Sequence, residues 1–79
     1  MHKVPKSKGE IQALIVAELR ACEDCESARG VVVVAVDDAV ANWTVAQFNR
    51  GESDAYACDR ALQRIVPHYQ RLYELVQKH

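Results

Sequence analysis

The chain has 79 residues, 49% of them hydrophobic and 27% charged, with a formal net charge of −1. That length supports one core and excludes a second domain, and the composition excludes a disordered polymer. The near-neutral total excludes a globally basic nucleic-acid binder, although the charge falls in blocks. Residues 1–9 carry three lysines and no acid, residues 10–59 carry ten acids against Arg20, Arg29 and Arg50, and residues 60–79 carry Arg60, Arg64, Arg71 and Lys78 against Glu74.

The apolar share is light: eleven Ala and eleven Val stand against five Leu, three Ile, one Phe and one Trp. Small side chains bury little area, and each buried Å² is worth only about 25 cal/mol. A core of this kind is marginal in so short a chain, which predicts a homodimer. No signal peptide or membrane segment is readable, since IQALIVAEL is short and interrupted by Gln12 and Glu18. The expected compartment is the cytoplasm, with reduced thiols, and three cysteines are an odd number for a disulfide framework.

Residues 1–8 read as a flexible basic arm, and 9–79 as a single small α+β domain. Ser7 and Glu10 have the S-x-x-E spacing of a capping box, so a helix starts there. Ile11, Leu14, Ile15, Leu19, Cys22 and Cys25 recur at helical spacing and carry it to about Cys25, with Gly30 closing the segment. VVVVAV (31–36) is β-branched and unbroken, hence a strand, and DDAVA is a turn. NWTVAQF (42–48) alternates, with Trp43 and Val45 on one side, and completes an antiparallel hairpin.

After NRGES, with Ser53 or Asp54 as N-cap, a long helix runs from about Asp54 to Lys78. Its apolar stripe is Cys58, Ala61, Leu62, Ile65, Tyr69, Leu72 and Val76, and Pro67 stands on the opposite face, where it bends the helix. The predicted fold is α+β in the order α-β-β-α: two helices on a hairpin, completed by dimerisation.

Chemistry is thinly marked. Cys22, Cys25 and Cys58 are the candidates for a metal-binding or thiol protein, but one C-x-x-C with scattered histidines falls short of a four-ligand zinc site. The pair also sits at a helix C-terminus among Glu23, Asp24 and Glu26, where a thiolate is disfavoured. The plainer reading has the cysteines extending the apolar face of the first helix. Glu18 interrupts that face and reads as a general base or as an edge carboxylate paired with an arginine or water. Asp37 and Asp38 read as turn residues, and no phosphate loop or zincin, nucleophile-elbow or EF-hand spacing exists.

Arg60, Arg64, Arg71 and Lys78, spaced by four, seven and seven, line one helix face with Tyr56 and Pro67 nearby. That stripe predicts contact with nucleic acid or an acidic protein, against the plainer reading of a solvated polar face. Trp43 is either a core residue or, with Val45, an anchor for a second copy or a partner.

The segment NWTVAQFNRG, followed by a long helix ending YELV, resembles a group of short uncharacterised bacterial proteins that share N-W-x-V-x-x-F-N. The group has no assigned activity, so the resemblance implies no functional residue. It implies that Asn42, Trp43, Phe48 and Asn49 mark this hairpin, with the asparagines bonding backbone at the strand ends. The sequence thus predicts a bacterial, cytoplasmic, dimeric protein that acts by interaction, without catalysis, cofactor or membrane.

Overall fold

The computed structural model describes residues 3–76. Its elements are β1 (Val4–Lys6), α1 (Lys8–Arg20), β2 (Gly30–Ala35), β3 (Trp43–Asn49), α2 (Ala55–Leu72) and β4 (Tyr73–Leu75). The predicted α-β-β-α order is present, and a parallel pair of short strands is added to it.

The capping box opens α1 as its sequence requires: Ser7 Oγ accepts from Glu10 N at 3.2 Å, and Glu10 Oε1 accepts from Ser7 N at 3.1 Å. Ile11, Ile15 and Leu19 point inward and are fully buried. The helix stops at Arg20, short of Cys25. Asp24 then takes φ 67°, a left-handed turn that sends the chain back across the core. Cys25 and Ala28 are therefore buried from a loop, not from a helix face.

β2 and β3 pair antiparallel, from Gly30 opposite Asn49 to Ala35 opposite Trp43. Val32 faces Gln47 but Val33 faces Val45, so Ala46 has no cross-strand partner and the ladder is irregular there. Gln12 of α1 repairs the defect, its Oε1 accepting from Val33 N at 3.0 Å. One face of the hairpin, with Val31, Val33 and Trp43, closes over α1 and α2.

α2 begins at Asp54, whose side chain accepts from Ala57 N at 2.8 Å. Cys58, Ala61, Ile65 and Tyr69 are its buried stripe, and Pro67 lies exposed within the helix. The helix ends at Leu72, six residues before the expected Lys78, because Tyr73 adopts extended backbone at φ −128°, ψ 147°. Turning into β4 buries Leu75, while Leu72 and Val76 of the expected stripe stay largely exposed.

β4 pairs in parallel with β1, Val4 opposite Tyr73 and Lys6 opposite Leu75. The expectation of a flexible arm over 1–8 is corrected here for residues 4–8: three form a strand, Ser7 caps α1 and Lys8 begins it. Lys3 Nζ also donates to Val40 O, and Val76 N to Lys6 O at 2.9 Å. Residues 1 and 2 lie outside the described residues.

Side chains stitch the two small sheets together. Asn42 Oδ1 accepts from Leu75 N and its Nδ2 donates to Leu75 O, both at 2.9 Å, so Asn42 takes the place of a paired strand. Trp43 Nε1 donates to Tyr73 O at 3.1 Å, and Gln70 Nε2 to Trp43 O at 2.8 Å. Trp43 is therefore core. Its expected role as a dimer or partner anchor is corrected, because the indole is fully buried by its own chain and its one polar atom is satisfied. Val45 is half-buried against the same core.

Candidate functional site

The loop from Ala21 to Arg29 is fastened to the rest of the chain by a covalent bond and several hydrogen bonds. Cys25 and Cys58 form a disulfide with Cα atoms 5.3 Å apart, within the ordinary range for such a bond. Both residues are fully buried. Ser27 N donates to Ser53 Oγ at 2.8 Å, and Asp54 N to Asp24 O at 3.0 Å. Arg20 Nε reaches Ala28 O at 2.8 Å. Gly51, at φ 62°, lets the following turn approach the loop; a Cβ there would lie 2.3 Å from Ser27 O.

The bridge overturns two expectations. The thiols are not all reduced, since an odd count leaves one cysteine over and does not prevent a pair. Nor do Cys22, Cys25 and Cys58 form a metal site, because two of the three sulfurs are bonded to each other. Among the described residues, no three His, Cys, Asp or Glu side chains are placed to hold an ion.

Cys22 is the free cysteine, half-buried at the end of α1. Its Sγ donates to Glu18 O at 3.3 Å and accepts from Arg64 Nη2 at 3.3 Å. This contact joins the cysteine loop to the arginine row. A depression of about 640 Å³ opens there, lined by Cys22, Glu23, Tyr56, Ala57, Arg60 and Arg64. On the other side of Arg64 lies a second depression of about 310 Å³, lined by Glu18, Arg64, Ile65, His68, Tyr69 and Arg71. Along the seam between the end of α1 and α2, Arg64 thus stands between two depressions and lines both.

The helix sets the spacing of the cations. Residues four and eleven apart return to nearly the same side of an α-helix, so Arg60, Arg64 and Arg71 flank the buried stripe together. All three are exposed. The Arg60 guanidinium lies 5.6 Å from the centre of the Tyr56 ring, which is 70% exposed. Among the described residues, the one ion pair is Lys6 with Glu10 at 3.9 Å, so no carboxylate stands within pairing distance of these arginines. Lys78, the fourth member of the expected stripe, lies outside the described residues.

Comparison with known proteins gives a plain result at this point. No family model, curated protein or solved structure matches the chain.

Glu18 is exposed and forms no ion pair with the arginines across the cleft, which leaves the water-facing reading of that residue. It acts on Tyr69 instead. Burial first, then the charge and hydrogen bonding of Glu18, push the Tyr69 phenol above its ordinary value. Asp38 is a turn residue as read, its Oδ1 accepting from Val40 N at 3.0 Å. The asparagines also do backbone work: Asn42 holds Leu75, and Asn49 Oδ1 accepts from Gly51 N at 3.0 Å. His68, one of the scattered histidines that fall short of a zinc site, lines the depression beside Arg71. Its signal was its place one turn after Arg64, on the edge of the buried stripe.

Proposed function

We propose that this chain is a non-catalytic interaction protein whose α1–α2 cleft takes an acidic segment of a partner protein. One observation carries the reading: Arg60, Arg64 and Arg71 stand exposed along α2 with no carboxylate of the described residues within ion-pair distance. At 1.5 Å rise per residue, the row spans roughly 16 Å, the length of about five residues of extended peptide. Tyr56 supplies an exposed ring at one end, where a side chain of the segment has apolar surface to pack on.

An acidic peptide suits the cleft better than a nucleic-acid backbone. Glu18 and Glu23 line its α1 side, and the stretch from residue 10 to 59 is strongly acidic. A long polyanion would meet their repulsion along its whole length, whereas a short segment limits it to the few residues seated beside the arginines. The proposal also keeps self-association, moved from Trp43 to the outer hairpin face, where Val32 is 38% exposed and Val34 half-buried.

The test is a binding titration with a fluorescent oligoglutamate peptide, a neutral peptide and a single-stranded RNA, repeated as salt rises towards about 0.15 M. The acidic peptide should bind best and weaken with salt. At up to about 1 kcal/mol for each exposed ion pair, R60Q/R64Q/R71Q should weaken it by about 2 kcal/mol, roughly thirty-fold. Binding of the acidic peptide no better than of the neutral one at low salt would end the proposal. Preference for RNA would move the site to the nucleic-acid reading.

A further inference from the structure

We propose that Cys22 is an internal exchange thiol for the buried Cys25–Cys58 bridge, able to move the disulfide from Cys25–Cys58 to Cys22–Cys25. This rests on the cysteine geometry alone and stands apart from the acidic-partner reading.

Three observations converge on it. Cys25 N donates to Cys22 O at 3.1 Å, a turn bond that closes residues 22–25. Such a turn holds its first and last Cα atoms within about 7 Å, which overlaps the separation a disulfide spans. The Cys25–Cys58 bridge is fully buried, so a thiol in solution has no approach to it in the folded chain. Cys22 stands on the inner side of that barrier: it packs against the core cluster that contains both bridged residues, three positions from Cys25, and it also lines the open depression beside Ala57. Its sulfur accepts from the Arg64 guanidinium, a side chain of the helix that carries Cys58.

The exchange is an isomerisation and needs no outside oxidant or reductant. Cys22 gives up its thiol proton to water, and the thiolate attacks Cys25 Sγ. A Cys22–Cys25 bond forms as the Cys25–Cys58 bond breaks, and the Cys58 thiolate leaves and takes up a proton. The bridge changes from one that ties the loop to α2 across 33 residues to one that closes only the 22–25 turn. α2 loses its covalent tether, and Arg64 loses its thiol partner. The new bridge includes the sulfur that lines the cleft, so a solution thiol can then reduce it.

The experiment follows reduction of the full chain by dithiothreitol in native buffer, with iodoacetamide quenching and peptide mass mapping. In the wild type, early samples should contain chains with a Cys22–Cys25 cross-link and carbamidomethylated Cys58. C22A should slow opening of the bridge by at least about ten-fold, because the internal route is lost and access limits the direct one. In denaturant the two proteins should react at similar rates. Equal native rates for wild type and C22A would overturn the proposal. So would wild-type samples in which Cys25 and Cys58 become alkylated together with no Cys22–Cys25 cross-link at any time, a result that needs no variant to fold.

Discussion

Replacing Gly51 by alanine tests how tightly the cysteine loop is held on the start of α2. The residue sits at φ 62°, a conformation that costs an L-amino acid about 1–2 kcal/mol. The new Cβ would also lie 2.3 Å from Ser27 O, so the carbonyl has to move. That carbonyl belongs to a segment fixed by the Ser27–Ser53 hydrogen bond and the neighbouring disulfide, and displacing it puts at least the hydrogen bond at risk, for about another 1 kcal/mol. The expected loss is about 2–4 kcal/mol, a large part of the stability of a domain this small. Urea unfolding followed by Trp43 fluorescence measures it, with Gly30→Ala as the control. A Cβ at Gly30 meets nothing within 4 Å, so that variant should stay within about 1 kcal/mol of wild type. If Gly51→Ala unfolds at the wild-type urea midpoint, the loop is not fastened as described.

Asn42→Ala removes both bonds to Leu75 and should cost about 2 kcal/mol, with faster hydrogen exchange at the Leu75 amide; an unchanged exchange rate would refute the stitching role. The raised pKa of Tyr69 favours the folded state while the phenol is protonated. Its contribution is therefore complete below the ordinary value of 10.0 and is lost as pH climbs through the folded value. Tyr69→Phe should flatten the fall in stability above that pH, and equal slopes for the two proteins in alkaline unfolding curves would contradict this. Self-association through the outer hairpin face predicts about twice the 8.9 kDa chain mass in light scattering, reduced to the monomer by Val32→Lys; a monomeric wild type would end that part of the proposal.

Local signals made much of the fold legible before the structure. The Ser7–Glu10 spacing, the β-branched run at 31–36 and the period of Cys58, Ala61, Ile65 and Tyr69 each act over a few residues; the first caps α1, the second gives a strand over Gly30–Ala35, and the third is the buried part of the α2 stripe. What escaped the reading depends on distant partners. Val4–Lys6 and Tyr73–Leu75 are too short to announce themselves as strands and extend because they find each other. Cys25 and Cys58 carry no mark of their pairing, since the geometry that joins them comes from Asp24 turning the chain and from Ser53 receiving it. The same dependence explains the cleft. The arginine spacing was visible along α2, but the thiol that meets Arg64 lies 42 residues earlier in the chain.

The pairing of β1 with β4 also sets an order of events. Val4–Lys6 is synthesised long before Tyr73–Leu75, and its ladder has nothing to pair with until residues 73–75 have been made. During that interval the strand's backbone donors and acceptors are open to water or to a chaperone. The zipper that joins Val4–Lys6 to Tyr73–Leu75 can therefore close only after residues 73–75 have left the ribosome.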